Sequence, residues 1–174
     1  MELIMSQTYY SALPTPLGEL AIFALNNAIY RVEFTDKFEE NDLDKVNQYQ
    51  ESTLTLRAKK QLEQYFSGEL TQFNLPLSPH GTSFRQQTWQ ALQNIPYGET
   101  RSYSEQARLM NNEKAVRAVG AANGANPIAI IIPCHRVIGK NGSLTGYASG
   151  LERKAWLLKF EQELLQNKQD FMLT

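Results

Sequence analysis

Cys134, the one cysteine in 174 residues, is followed directly by His135 and Arg136 and preceded by the apolar run Ala129 to Ile132 and by Pro133. A thiol attacks only as thiolate, so it needs a base or a positive surrounding, and the two residues behind it can supply either. The apolar run reads as a buried strand that Pro133 ends by removing a ladder donor, which delivers the sulfur to a site. Neighbours on a strand face opposite ways, so His135 reaches the sulfur only across a turn or through a water. The plainer reading of a lone cysteine is a small, inert, buried hydrophobe.

Glu161 lies three and four residues after Leu158 and Leu157, and three and four before Leu164 and Leu165. A helix from Leu151 to Gln166 therefore puts a carboxylate on its apolar face, unless the register slips and leaves it on the surface. A buried carboxylate is costly without a partner, and His135 is the obvious one. Cys134, His135 and Glu161 would then stand as nucleophile, base and the group that orients the base.

Two domains are expected to position these groups, a scaffold over 1–78 and a chemical half over 79–174. In the first, Leu20 to Leu25 and Ala28 to Phe34 flank Asn26-Asn27 as a hairpin, with asparagine tolerating the positive φ of a tight turn. Tyr9 to Leu13 adds a third strand, Asp36 to Glu51 is an acidic loop or short solvated helix, and Leu54 to Phe66 is a helix that Gly68 stops. Phe73, Leu75 and Leu77 alternate like a strand until prolines interrupt. In the second, Thr82 or Ser83 caps a helix through Leu92. Ser102-Tyr103-Ser104-Glu105 is a capping box opening a helix to Met110, and after Asn111-Asn112 another runs from Glu113 to Asn123. Two short helices across a tight turn read as a helix-turn-helix, a motif that also occurs as plain packing. The second carries Arg117 among alanines and a glycine, so the arginine projects furthest from a face that can lie close to a surface. On DNA it would meet phosphates or enter the base stack; otherwise it is a solvated arginine on an alanine-rich helix. Leu144 to Gly150 is a glycine-punctuated loop whose Tyr147 can stack on a flat ligand.

Composition narrows the classes further. At 42% hydrophobic residues the chain buries an ordinary core. One cysteine excludes an internal disulfide, and two histidines and a cysteine at unsuitable spacing argue against a structural zinc site. No basic leader or membrane-length apolar stretch is present, so a soluble, cytoplasmic protein without a membrane partner is expected. The net charge of −1 argues against a general polyanion binder, but its distribution is uneven. Residues 1–78 hold six Lys/Arg against eleven Asp/Glu, and residues 79–174 hold eleven against seven. A basic second half allows a nucleic-acid face on one side only, although chance solvated charge gives the same tally.

Pro133-Cys134-His135-Arg136-Val137, with Asn126-Pro127 and Arg117-Ala118-Val119-Gly120 upstream and Tyr147 through Glu161 downstream, closely resembles the O6-alkylguanine-DNA alkyltransferases. These are also called methylated-DNA–protein-cysteine methyltransferases, and the match runs in register from about Phe84 to Glu161. The resemblance implies an α+β protein with an N-terminal ribonuclease H-like domain and a C-terminal winged helix-turn-helix-like domain. It implies a cofactor-free suicide methyltransferase, acting as a monomer, that repairs double-stranded DNA containing O6-alkylguanine. O4-alkylthymine is left open as a second substrate.

By the same resemblance, Cys134 accepts the alkyl group, His135 draws its proton through a water, Glu161 holds His135, and Asn126 organises the turn near the cysteine. Arg117 fills the gap left by the flipped nucleotide, and Tyr103 crowds the 3′ phosphate. Tyr147 and Lys154 line the guanine pocket and favour departure of the oxyanion, and Val137 belongs to that pocket through backbone groups. Some members carry a serine where this chain has Ala148, which leaves only the backbone N–H there. The zinc-binding cysteines of other members are absent. Glu161→Gln is expected to slow transfer while leaving folding largely intact. A multiple-turnover cysteine hydrolase and a non-catalytic helix-turn-helix binder are the competing classes. The first would ignore DNA, and the second would be indifferent to loss of Cys134.

Overall fold

The structure, a computed structural model, describes residues 6–174. The first five residues, which belong to the expected 1–78 domain and to the stretch read for a leader, lie outside the described part. The chain divides into two compact units, Met1–His80 and Gly81–Thr174.

In the first unit β1 (Tyr9–Thr15), β2 (Gly18–Leu25) and β3 (Ala28–Phe34) form an antiparallel sheet in that order. The central β2 is buried from Leu20 to Ala24 on both faces, which is why its sequence is continuously apolar rather than alternating. On one face Ala21 and Phe23 gather Val46 of α1 (Glu40–Val46) with Tyr10, Tyr30, Phe38 and Tyr49. On the other lies α2 (Thr53–Phe66), which buries Ala58, Leu62 and Tyr65 and brings Thr55 to 2.9 Å from the Ser11 hydroxyl. The β2–β3 hairpin turns at Asn26-Asn27, yet neither asparagine takes a positive φ. A shift of register between Phe23 and Ala24 accommodates the turn instead. Phe73 to Leu77 forms no strand; Leu77 makes one isolated bridge to Ile29, because Pro76 cannot donate to a ladder.

The second unit is mostly helical. It comprises α3 (Ser83–Gln93), β4 (Arg101–Ser102), α4 (Tyr103–Leu109), α5 (Val116–Gly124), β5 (Val137–Ile138) and α6 (Leu151–Leu173). Thr82 caps α3, and Ser102 and Glu105 form the capping box of α4. Helices α4 and α5 join across Asn111, whose φ is 56°, and a 3-10 turn at Glu113–Ala115, giving the helix-turn-helix. A buried reciprocal amide pair fixes the two helices to each other. Gln106 donates to Asn123 at 2.9 Å and Asn123 donates back at 2.7 Å. The Trp89 indole N–H donates to the Ala122 carbonyl at 2.8 Å and ties α3 to α5. Two residues of parallel pairing, Arg101 with Val137 and Ser102 with Ile138, join the start of α4 to the chain just after Cys134.

The expected strand at Ala129 to Ile132 is not there. These residues are buried but run through successive turns, with Ile130 at a φ of 70°. An apolar run demands burial, not extension, and here side-chain amide bonds from Asn126 replace the ladder. A β-branched residue in the left-handed region costs about 1–3 kcal/mol, which its burial at 1% exposure must hold in place. Helix α6 continues seven residues past the expected end at Gln166, with Phe171, Met172 and Leu173 exposed. Among the described residues, no helix is long and apolar enough to cross a membrane.

Candidate active site

Pro133 opens a single 3-10 turn, Cys134–Arg136, closed by the Arg136 N–H on the Pro133 carbonyl and the Val137 N–H on the Cys134 carbonyl. Three successive side chains therefore leave the backbone in three directions, not on two faces as on a strand. Cys134 goes to a half-buried position, while His135 and Arg136 go inward. Asn126 Nδ2 donates to Cys134 Sγ at 3.2 Å and to the Ile132 carbonyl at 2.8 Å, and its Oδ1 accepts from the Ile128 N–H at 3.0 Å. Burial pushes the Cys134 thiol up, against the Asn126 hydrogen bond and the Lys154 charge. The resting group is a thiol, so ionisation belongs to the reaction rather than to the free protein.

Behind the sulfur, His135 Nε2 lies 3.1 Å from Glu161 Oε1, with both side chains buried. The same carboxylate takes the Arg136 fork, with Nη2 to Oε1 at 2.6 Å and Nε to Oε2 at 3.1 Å. Arg136 Nη1 also donates to the Ile95 carbonyl at 2.7 Å. Burial would raise the Glu161 carboxyl, but the charge and hydrogen bonds of His135 and Arg136 outweigh it and hold it at about 2. His135 is itself pushed below the usual imidazole range, by burial first and by Arg136 and Lys154 next, against the pull of Glu161. Around neutral pH the imidazole is therefore uncharged, and Arg136 is the cation that balances the carboxylate. With Glu161 ionised, Nε2 must carry the hydrogen, which leaves a lone pair on Nδ1. That Nδ1 is buried with no hydrogen-bond partner.

The remaining predicted residues fall in two groups. Tyr103, at the first position of α4, donates its hydroxyl to the Thr145 carbonyl at 2.8 Å. Lys154 Nζ donates to the same carbonyl at 2.8 Å and to that of Gly146 at 3.3 Å, and sits 5.8 Å from the Tyr103 ring. Burial lowers Lys154, partly countered by the Cys134 charge; burial and that same charge raise Tyr147 well above its usual range. Lys154 and Tyr147 are thus both within electrostatic reach of the sulfur. Val137 is buried in β5, with its backbone N–H on the Cys134 carbonyl. Ala148 is exposed beside Tyr147. Arg117 stands apart from this cluster, exposed on α5, where Val119 is buried and Val116 half-buried.

Sequence reasoning missed the placement of Arg136. It was a candidate for making the surroundings of Cys134 positive; instead its guanidinium turns to Glu161 and lies 5.6 Å from the Tyr97 ring. The available signal was a second cation next to a histidine that already needed a buried acid. Gly98 belongs to the same corner. Its φ is 78°, and a Cβ there would come within 2.7 Å of Leu165 on α6, so only glycine lets the Tyr97 turn close on the Glu161 helix. Among the described residues no group of three His, Cys, Asp or Glu gathers as a metal set.

Residues 83–163 match the family described as "6-O-methylguanine DNA methyltransferase, DNA binding domain", and residues 8–79 match its "ribonuclease-like domain". A methylated-DNA–protein-cysteine methyltransferase of Methanosarcina acetivorans is 47% identical over 154 residues, covering 88% of this chain and 97% of the relative. The constitutive enzyme of that name in Bacillus subtilis is 48% identical over 157 residues, covering 88% and 95%. Among solved structures, the Mycobacterium tuberculosis O6-methylguanine methyltransferase is similar, with a TM-score of 0.80 at 42% identity over 90% of this chain and 94% of that one. The same mycobacterial protein in complex with DNA also has a TM-score of 0.80, at 41% identity over 90% and 94%.

Proposed function

The chain belongs to the methylated-DNA–protein-cysteine methyltransferase family, and on that ground we propose that Cys134 takes the alkyl group from O6-alkylguanine in duplex DNA. The protein binds DNA and repairs it by moving an alkyl group to a cysteine. With one cysteine in the chain, there is one acceptor.

The observation that carries this reading is the pairing of two neighbours in one turn. A half-buried thiol held by Asn126 stands next to a buried imidazole whose one nitrogen is on Glu161 and whose other has no partner. The thiol proton passes through a water to His135 Nδ1. Sulfur then forms a bond to the alkyl carbon as the carbon–oxygen bond breaks, and guanine leaves as an oxyanion. Lys154 and Tyr147 offer hydrogen-bond donors where that negative charge develops. The Val137 and Ala148 backbone recognises the base edge. The product is a thioether with no easy route back, so one chain repairs one base and needs no cofactor.

The lesion lies inside the duplex and must be flipped out, at a cost of a few kcal/mol that protein contacts offset. Tyr103 crowds the 3′ phosphate, and Arg117, exposed on α5, occupies the gap. In this reading residues 1–78 are a scaffold and 79–174 carry the chemistry. The protein works as a monomer in the cytoplasm, where its lone thiol stays reduced. The test is Cys134→Ser. The variant should bind O6-methylguanine duplex like the parent and leave the lesion intact; lesion removal by that variant would overturn the assignment.

A further inference from the structure

Three buried ionisable side chains meet behind Cys134 where two would suffice to orient a base. Oε1 of Glu161 is shared, 3.1 Å from His135 Nε2 and 2.6 Å from Arg136 Nη2, while Arg136 Nε spans both oxygens at 3.1 and 3.2 Å. Arg136 is fixed from the far side by the Ile95 carbonyl at 2.7 Å. We infer that Arg136 is a positioning residue for the transfer: by neutralising Glu161 it keeps His135 uncharged, with its hydrogen on Nε2 and a lone pair on Nδ1 for the Cys134 proton. This deepens the function proposed above and rests on it.

The argument is one of charge balance in a dry site. A buried carboxylate with only an imidazole beside it draws a proton onto that imidazole, because an ion pair is better than a lone charge. An imidazolium has no lone pair and cannot act as a base. A guanidinium cannot give up its proton, so once Arg136 holds the carboxylate the site is balanced without His135. The other groups around the pair agree. Lys154 on α6 adds positive charge near His135, Tyr97 and Tyr147 face Glu161 as neutral phenols, and Cys134 rests as a thiol. Among the described residues Glu161 is the one anion that pulls His135 up, against burial and the Arg136 and Lys154 charges.

A purely structural ion pair makes a different prediction, since buried pairs are often replaceable by apolar side chains at little cost in stability. The experiment is the single-turnover rate of methyl transfer from O6-methylguanine duplex against pH, for the parent, Arg136→Met, Arg136→Lys and the double variant Arg136→Met/Glu161→Gln. An NMR titration of His135 in each free protein accompanies it. In Arg136→Met the acid limb of the rate and the His135 titration should both move up by about one pH unit or more, making transfer about tenfold slower where the parent is on its plateau and recovering at higher pH. Arg136→Lys should shift less. The double variant, with both charges gone, should return the limb toward the parent position. A rate lowered by one factor at every pH, with His135 titrating as in the parent, would overturn the inference. If Arg136→Met fails to fold, Arg136→Gln, which also removes the charge, decides, an unmoved His135 titration counting against. A parent protein that transfers no methyl group would overturn the proposed function instead, and the titration would still decide the part played by Arg136.

Discussion

The Asn126 side-chain nitrogen lies 3.2 Å from Cys134 Sγ and 2.8 Å from the Ile132 carbonyl, so one amide holds both the reactive sulfur and the turn that presents it. Its oxygen accepts from the Ile128 N–H at 3.0 Å, closing the loop from the other end. The donor at the sulfur also opposes the burial that raises the thiol.

Replacing Asn126 by alanine should therefore act twice. The buried Ile128 N–H loses its partner, which costs about 1–3 kcal/mol in a denaturant melt, while the Ile132 carbonyl keeps the Cys134 N–H. The thiolate loses a donor, so transfer should slow by about tenfold or more. Asn126→Asp, which puts negative charge beside the sulfur, should slow it further. Equal transfer rates in all three proteins would separate Asn126 from the chemistry.

Glu161→Gln should slow transfer and also weaken the fold. The sequence alone predicts a largely intact fold, with His135 as the partner of Glu161. The structure puts a buried guanidinium on the carboxylate, and removing one member of such a pair typically costs about 3–5 kcal/mol. Equilibrium unfolding of the variant checks this; a change under about 0.5 kcal/mol would show that the pair is not buried as described.

Much of the site was legible because its chemistry needs particular residue types. Cys134 and His135 announce themselves by adjacency, and Glu161 by a charge at helical spacing among leucines. The helix-turn-helix was legible through the Ser102–Glu105 capping box and Asn111. What failed did so where sequence pattern carries burial but not geometry. Four apolar residues before Pro133 look alike as a buried strand or as buried turns, and Ile130 at a φ of 70° has no signature, being a residue that rarely goes there. Arg136 was equally unreadable. Its position next to Cys134 says nothing of which way a side chain leaves a 3-10 turn.

Acid should unfold the second unit in a defined window. Glu161 has its folded value depressed to about 2 from 4.5, so the unfolded chain binds more protons between those values. Its contribution, about 3 kcal/mol, is complete above 4.5 and lost as pH falls toward 2. His135 is also lowered, so its share starts to be lost sooner, as pH falls below the ordinary imidazole range. Thermal melts across acid pH should show this slope in the parent and a flatter one in Glu161→Gln. Parallel slopes would contradict it.

Arg117→Ala should leave stability within about 0.5 kcal/mol, since the side chain is exposed on α5. Transfer from duplex should fall, and transfer from a single strand carrying the same lesion should change little, because nothing has to be displaced from a stack. Equal losses on both substrates would remove Arg117 from the flipping step.

The central claim is direct, irreversible transfer to one sulfur, and mass spectrometry reads it. After incubation with excess O6-methylguanine duplex, the intact chain should gain one methylene and stop, with fragmentation placing the methyl on Cys134 and the DNA restored in equal amount. An unmodified thiol with lesion consumed over many turnovers, or a methyl group on any other residue, would contradict the account.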